Sequence, residues 1–400
     1  MKEHVSLGII GLGARGNQWV GTILDMGDDI TIAHVCDLYQ DRIDDAIKLV
    51  EEKTGKRPVG TQDYRELIHD PNVDAVLIVS PWQTHIPFAI AAMRAGKYVG
   101  CEVGGAFSIQ QLWDLVRVQE ETGVHCMMME NCCYGRDEMM VANMVKQGVF
   151  GELVHMEGAY RHDLRHEVAF GNVIRHYRLN HYEHRNADNY PTHELGPIAQ
   201  MLNINRGNRF MTLTSVSSKA VGLDTYIKET DIPDETVRTK KFNQGDVIHT
   251  IIKCANGETI LLTLDTTLPR FYSRGLVVQG TKAFYQEDTR ALYYDGLDNE
   301  NEWNGKAFWD NIEQFRDQYE SDTWRDYLNN MVGGHGGMDG LVMRDFINCV
   351  KENRKPPIDV YDMAAWMSIG ALSEESIALG GHPVAVPDFT NGMWISRKPE

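Results

Sequence analysis

Val5-Ser6-Leu7-Gly8-Ile9-Ile10-Gly11-Leu12-Gly13-Ala14-Arg15-Gly16 is the stretch that decides the fold. Its first half is an apolar run with strand character. Its second half is a glycine-punctuated turn that opens a helix-patterned segment. Strand, Gly-x-Gly-x-x-Gly, then helix is the order in which a chain grips the pyrophosphate of a dinucleotide. Gly11 permits the tight turn, Gly13 lets the backbone approach the phosphates, and Gly16 lets the helix pack closely on the strand. The phosphates then meet the unpaired N–H groups of the helix N-terminus. A second apolar run, Ile30–Cys36, ends at Asp37, 21 residues beyond Gly16. A carboxylate there accepts from the ribose hydroxyls of NAD and repels the 2′-phosphate of NADP, so NAD is the expected cofactor.

The rhythm continues outward from this turn. Apolar runs at 75–79, 98–101 and 124–129 alternate with helix-patterned stretches at 16–26, 41–52, 64–69, 86–95 and 109–122. That is the βαβ pattern of a parallel sheet. From about residue 150 the strand-like runs are 153–160, 211–220, 247–254, 259–268 and 276–279, with Asn256-Gly257 as a hairpin signal. Residues 161–192, rich in His, Arg, Tyr and Asn, show little periodicity and read as one long functional loop. Helices are expected at 341–352 and 360–379. The expected class is α/β: a Rossmann domain over 1–128, then an α+β domain over 129–400 with an open, mainly antiparallel sheet. Such a sheet leaves an apolar face that suits a homo-oligomer.

Bulk properties narrow the partners. The chain has 400 residues and a formal charge of −18, which disfavours nucleic acid and anionic membranes. No run reaches the ~18 uninterrupted apolar residues of a membrane helix. The first strand starts within a few residues of Met1, which points to the cytoplasm; a trimmed leader would place the chain in the periplasm or outside. The seven cysteines are odd in number and include no CxxC, so they read as reduced thiols.

Candidate site residues cluster at the ends of the apolar runs. Ser80-Pro81-Trp82-Gln83-Thr84-His85 follows the third run, at the sheet edge where nucleotides bind. Trp82 either stacks on the cofactor or packs within the loop. Glu102, after the next run, is expected at the nicotinamide ribose, and Asn131 at the cofactor's carboxamide or ribose. Asn189-Tyr190-Pro191-Thr192-His193-Glu194 precedes a helix expected at 195–202, with Thr192 as its cap. That cap would aim Tyr190 and His193, and His193 beside Tyr190 on a polar loop reads as functional. In 333–339, His335 either reaches the sugar or sits in a plain linker. The histidines at 155, 162, 166, 176, 181, 184 and 193 include no HxxxH helix with a supporting acid, so no metal is expected.

Together these residues resemble the glucose-fructose oxidoreductase/inositol dehydrogenase family over essentially the whole chain. Tyr190-Pro191-Thr192-His193, with 158–164, Asn203-Ile204-Asn205-Arg206-Gly207 and 334–339, is similar to that family's NAD-dependent glycosidase branch, glycoside hydrolase family 109. The wider family's dehydrogenases carry Glu-Lys-Pro after the fourth strand, and the lysine helps deprotonate the hydroxyl. Here the stretch is Glu102-Val103-Gly104, and the glycosidase branch is similar in lacking that lysine. The resemblance implies that Tyr160, Arg178, Tyr190, Pro191, Thr192, His193 and Tyr272 line a sugar site. It implies NAD contacts from Arg15, Asp37, Trp82, Gln83, Thr84, His85, Glu102, Val103 and Asn131.

The function expected is a glycosidase with tightly bound NAD, acting on N-acetylgalactosaminides or related glycosides. Transient oxidation at C3 acidifies the C2 proton, the C1 leaving group is eliminated, water adds, and C3 is reduced again. The route departs from two-carboxylate hydrolysis. Tyr160 is the expected C2 base, His193 accepts the C3 hydroxyl proton, and Tyr190 positions substrate and nicotinamide; these roles are open to permutation. The alternatives are an NAD-dependent sugar or polyol dehydrogenase and a non-catalytic NAD sensor or scaffold.

Overall fold

A computed structural model describes residues 2–104, 106–296 and 303–399. The chain parts into two compact units, one of residues 1–135, 325–364 and 400, the other of 136–324 and 365–399. The first unit is therefore not one continuous segment ending at 128. The reason lies in the helix Met338–Glu352. Its apolar face, Val342, Met343, Phe346, Ile347 and Val350, joins Val5, Leu7 and Ile9 in one buried cluster. The helix Val360–Ala378 carries the boundary, changing units after Ala364.

The first unit holds six parallel strands: β1 (Val5–Ile10), β2 (Ile30–Cys36), β3 (Val59–Thr61), β4 (Ala75–Ile78), β5 (Tyr98–Cys101) and β6 (Cys126–Met128). Their order is β3-β2-β1-β4-β5-β6. The order reverses between β1 and β4, and ligands of such sheets bind outside the carboxyl ends at that point. The glycine turn lies there, at the end of β1.

The second unit is built on eight strands. They are β7 (Leu153–Arg161), β8 (Phe210–Ser217), β9 (Val247–Cys254), β10 (Thr259–Asp265), β11 (Val277–Gly280), β12 (Ala283–Gln286), β13 (Ala291–Tyr294) and β14 (Val384–Ala385). Their order is β13-β12-β11-β7-β10-β9-β8-β14, with β7 and β10 parallel and the other pairs antiparallel. Gly257, at φ +110°, makes the β9–β10 hairpin turn. Along β9, Ile248, Thr250, Ile252 and Cys254 are buried while His249, Ile251 and Lys253 are exposed, so the sheet covers a core on one face.

The polar stretch 161–192 is not a bare loop. It folds into Arg165–Ala169, Gly171–Ile174 and Arg178–His184, helices of 5, 4 and 7 residues. None completes more than two turns, which is too short for a 3.6-residue period to show in sequence. All seven cysteines are buried thiols. No helix among the described residues is long and apolar enough to cross a membrane.

Candidate active site

In the first unit the glycine turn has the geometry a dinucleotide needs. Gly11 sits at φ +100°, and a Cβ there would lie 2.6 Å from the Ser80 backbone nitrogen. A Cβ on Gly16 would lie 2.1 Å from the Gly11 carbonyl oxygen. Gly13 differs: nothing approaches its missing Cβ more closely than Arg42 Nη1 at 3.6 Å, so its backbone faces open space. The helix Ala14–Leu24 starts directly after it with no side-chain cap, leaving its first N–H groups for a ligand. Asp37 is held beside the turn: its carboxylate accepts from Leu12 N at 2.7 Å and from Tyr39 N at 3.0 Å. These residues fit NAD.

Arg15, Glu102, Asn131 and His335 come together, and the residue that joins them is Asp339. Arg15 donates to Glu102 Oε1 at 2.6 Å and to both Asp339 oxygens at 2.7 and 2.9 Å, with its guanidinium over the Trp19 ring. Asn131 Nδ2 donates to Asp339 Oδ1 at 2.9 Å, and His335 Nδ1 lies 2.9 Å from Oδ2. Burial disfavours the Arg15 charge, but Glu102 and Asp339 outweigh it and hold the group cationic. Burial also opposes the Asp339 charge, yet His335 and Arg15 hold that carboxyl well below the usual range. Glu102 serves Trp19 Nε1 and Val103 N as well, so its oxygens bind protein groups. His335, one of the expected sugar contacts, here belongs to this ionic cluster. Asp339 escaped sequence reading because the glycine-rich stretch looks unstructured; the helix in fact begins at Met338. The i, i+4 spacing of His335 and Asp339 was the available signal.

Trp82, Gln83, Thr84 and His85 lie on the first turn of the helix Trp82–Arg94, not on a loop. Trp82 is only 3% exposed and packs against Gly104, where a Cβ would come within 2.2 Å of the indole. Gly104 is at φ +142°. The indole is thus a wall rather than an open stacking surface. Thr84 bonds Ser80 and Pro81, and His85 Nε2 lies 2.6 Å from the Ser80 carbonyl, which fixes this turn. Burial lowers the His85 pKa and keeps the ring neutral. Gln83 is exposed.

In the second unit Tyr160, Tyr190, His193 and Tyr272 form one aromatic cluster. Ring centroids are 4.5 Å apart for Tyr160–Tyr190, 4.8 Å for Tyr190–His193, 5.5 Å for Tyr160–His193 and 6.3 Å for Tyr160–Tyr272. Arg178 places its guanidinium 5.2 Å from the Tyr190 ring centre and pairs with Glu167 at 3.0 Å. Burial opposes the Arg178 charge, but Tyr160, Glu167, Tyr177 and Tyr190 sustain it. Tyr160 also has a partner that sequence reading left out of the site, His162, whose Nδ1 lies 3.0 Å from the phenol oxygen. Thr192 does not cap the helix Thr192–Met201. Pro191 holds the cap position in a helical conformation, and Thr192 is the first helical residue, fully buried. The loop before Tyr190 is held instead by Gln244, which exchanges bonds with Ala187 and accepts from Asn189 Nδ2 at 3.1 Å. Nothing in the local sequence marked Gln244.

A buried ionic knot underlies the cluster. Arg274 meets Glu138, Glu194 at 3.2 Å and Glu287 at 3.3 Å. Glu194 follows His193, and Arg274 stands two residues beyond Tyr272. The Arg274 carbonyl accepts from Ala159 N, next to Tyr160. Gly158 makes room: a Cβ there would lie 2.6 Å from Glu194 Cβ.

Comparison with known proteins accords with this division of labour. Residues 5–130 match the oxidoreductase-family NAD-binding Rossmann fold, and residues 134–396 match the glycosyl hydrolase 109 C-terminal domain. An α-N-acetylgalactosaminidase from Tannerella forsythia is 38% identical over 98% of this chain and 87% of its own length. A protein of the same name from Shewanella oneidensis is 37% identical over 99% of this chain and 87% of its own. Among solved structures, a levoglucosan dehydrogenase in complex with NADH and L-sorbose superposes with a TM-score of 0.71 at 17% identity, covering 97% of this chain and all of the other. The myo-inositol 2-dehydrogenase of Lactobacillus plantarum gives 0.69 at 16% identity, covering 96% of this chain and all of its own. Those two likenesses are of fold. The chain belongs to glycosyl hydrolase family 109, with an NAD-binding Rossmann domain joined to that family's C-terminal domain.

Proposed function

We propose that the protein hydrolyses N-acetylgalactosaminides or closely related glycosides, with NAD as a resident catalyst. The observation that carries this reading is the convergence of Tyr160, Tyr190 and His193 beside Arg178 in a chain 38% identical to an α-N-acetylgalactosaminidase. Gly11, Gly13, Gly16 and Asp37 would hold the dinucleotide at the end of β1. Bound NAD+ would supply reversible oxidation at C3, which makes the neighbouring C2 proton acidic.

The protein's own groups do the rest. His193 receives the C3 hydroxyl proton. Tyr160 takes the C2 proton as the C1 substituent leaves. Tyr190, packed against both rings, orients the sugar, and Arg178 offsets negative charge developing on it. No pair of carboxylates is needed, in keeping with the NAD-dependent exceptions to two-carboxylate hydrolysis.

The test uses the purified protein supplied with NAD and a nitrophenyl α-N-acetylgalactosaminide in heavy water. Nitrophenol is expected without accumulation of NADH, and the released sugar is expected to carry deuterium at C2. Accumulating NADH would instead mark a dehydrogenase. Nitrophenol release with hydrogen retained at C2 would refute the elimination route.

A further inference from the structure

We propose that His162 is the proton acceptor behind Tyr160, so that the two form a relay at C2 of the sugar. The proposal rests on the glycosidase reading and adds to it a residue that does not itself touch substrate. A tyrosine with its ordinary pKa near 10 is almost wholly protonated at neutral pH. To remove a carbon-bound proton, its own proton must have somewhere to go.

His162 provides that place. Tyr160 is the eighth residue of β7, and His162 follows the strand by one position. Residues i and i+2 share a strand face, so the two side chains lie together. The His162 backbone N–H bonds the Asp265 carbonyl at 2.9 Å, which carries the β10 pairing past the end of β7. The phenol oxygen and Nδ1 are 3.0 Å apart, a hydrogen-bond distance. Tyr272 packs edge-on against the imidazole at 5.1 Å and limits its rotation.

The surroundings leave the ring able to accept. Burial disfavours the imidazolium, and Arg178 and His193 act in the same direction. Glu167 and Asp163 favour the charged form, but Glu167 is paired with Arg178 and Asp163 with Arg165 at 2.7 Å. His162 therefore titrates below the ordinary histidine value and is neutral at pH 7.

In the step proposed, the C2–H bond breaks and its electron pair enters the enolate. The proton passes to the Tyr160 oxygen while the phenolic proton passes to His162 Nδ1. The enolate then expels the C1 substituent with its bonding electron pair, leaving a C1=C2 double bond. Water adds its hydroxyl to C1 and gives its other proton to the departed group. The reverse transfers return a proton from His162 through Tyr160 to C2. Atoms and charge balance without a further reactant.

The experiment compares wild-type protein with His162→Gln. Glutamine keeps a hydrogen bond to Tyr160 but does not take its proton, so it rescues a structural role and not a relay. The expected result is a kcat roughly 100-fold lower, with KM within about 3-fold and an unchanged melting temperature. The acid limb of the wild-type kcat profile, falling below the ordinary histidine range, disappears in the variant. Wild-type kcat and an unchanged pH profile in His162→Gln would overturn the relay. If wild-type protein releases no nitrophenol, the glycosidase reading fails by itself. A nitrogen-15 NMR titration of the histidines then decides the dyad, as it does if the variant does not fold. Tyr160→Phe must move the His162 titration, and an unmoved titration overturns the pairing.

Discussion

Asp188 is the residue whose charge state the fold alters in a way that solution pH can read. It lies two positions before Tyr190 and is only 2% exposed. Its N–H bonds Ser373 Oγ at 2.9 Å, and burial pushes its carboxyl up from 3.8 to about 7 despite help from Thr250. The folded state therefore binds a proton that the unfolded state has released between about pH 4 and 7. The stability tied to that proton is complete below the unfolded value and is lost as pH rises through the folded one. Asp188→Asn should remove this dependence, on the order of 4 kcal/mol across the window. Urea unfolding at pH 4 and pH 8 measures it, and an equal slope in both proteins would refute the assignment. At this scale the sequence was informative where chemistry is local. Gly11 and Gly16 stand where a side chain would collide with backbone, as their spacing implied, and Asp37 is held beside the turn by Leu12 N. It was silent where a partner lies far along the chain, as with Asp339 for Arg15 and Gln244 for Asn189. Such pairs have no period and no motif.

Two helices explain where reading by element went astray. The helices expected at 86–95 and 195–202 begin at Trp82 and Thr192, so their first turns carry the very residues read as loop. Each has a proline in its second turn, Pro87 and Pro197. Proline lacks the N–H that would bond the carbonyl four residues back, so it reads as a breaker. At the sixth helical position each proline leaves the carbonyl four residues back, of Gln83 and of His193, without its intrahelical donor, and the helix continues past it. Strands β3, β12, β13 and β14, of three, four, four and two residues, were also not read from the sequence. Arg274 ties the helix that bears His193 to two neighbouring elements. It links Glu138 on the helix Arg136–Lys146, Glu194 on the helix Thr192–Met201 and Glu287 beside β12. Burial raises the Glu138 pKa, which Arg274 opposes and Glu287 reinforces. Removing this cation leaves three acids together, Glu138 and Glu194 buried and Glu287 partly exposed. Arg274→Met should cost about 3–5 kcal/mol of stability. Glu194→Gln, which leaves Arg274 two carboxylates, should cost about 1–3 kcal/mol. Denaturant midpoints for the two variants test the ranking, and equal losses would show that Arg274 does not organise the knot.

The molecule as a whole is acidic, at −18, and yet its glycine turn fits a dinucleotide that is itself an anion. Overall charge therefore opposes the cofactor, and local groups must supply the attraction. Two lie beside the turn: the helix N-terminus after Gly13, and Arg42, which pairs with Asp37 at 3.8 Å. Asp37 lies in the opposite balance, since its negative charge tolerates a ribose hydroxyl and repels a 2′-phosphate. A ligand that binds only the folded state stabilises it by about 2.7 kcal/mol at 100 times its Kd. Protein stripped of nucleotide should thus unfold at a higher temperature in excess NAD, with a much smaller rise in NADP at the same concentration. Asp37→Ala should shrink the NAD response and narrow the difference between the two nucleotides. It should also lower the baseline, because Leu12 N and Tyr39 N lose their acceptor. Differential scanning fluorimetry over a nucleotide series reads all three effects. Equal shifts from NAD and NADP in the wild-type protein would show that Asp37 does not select the cofactor, whatever else holds it.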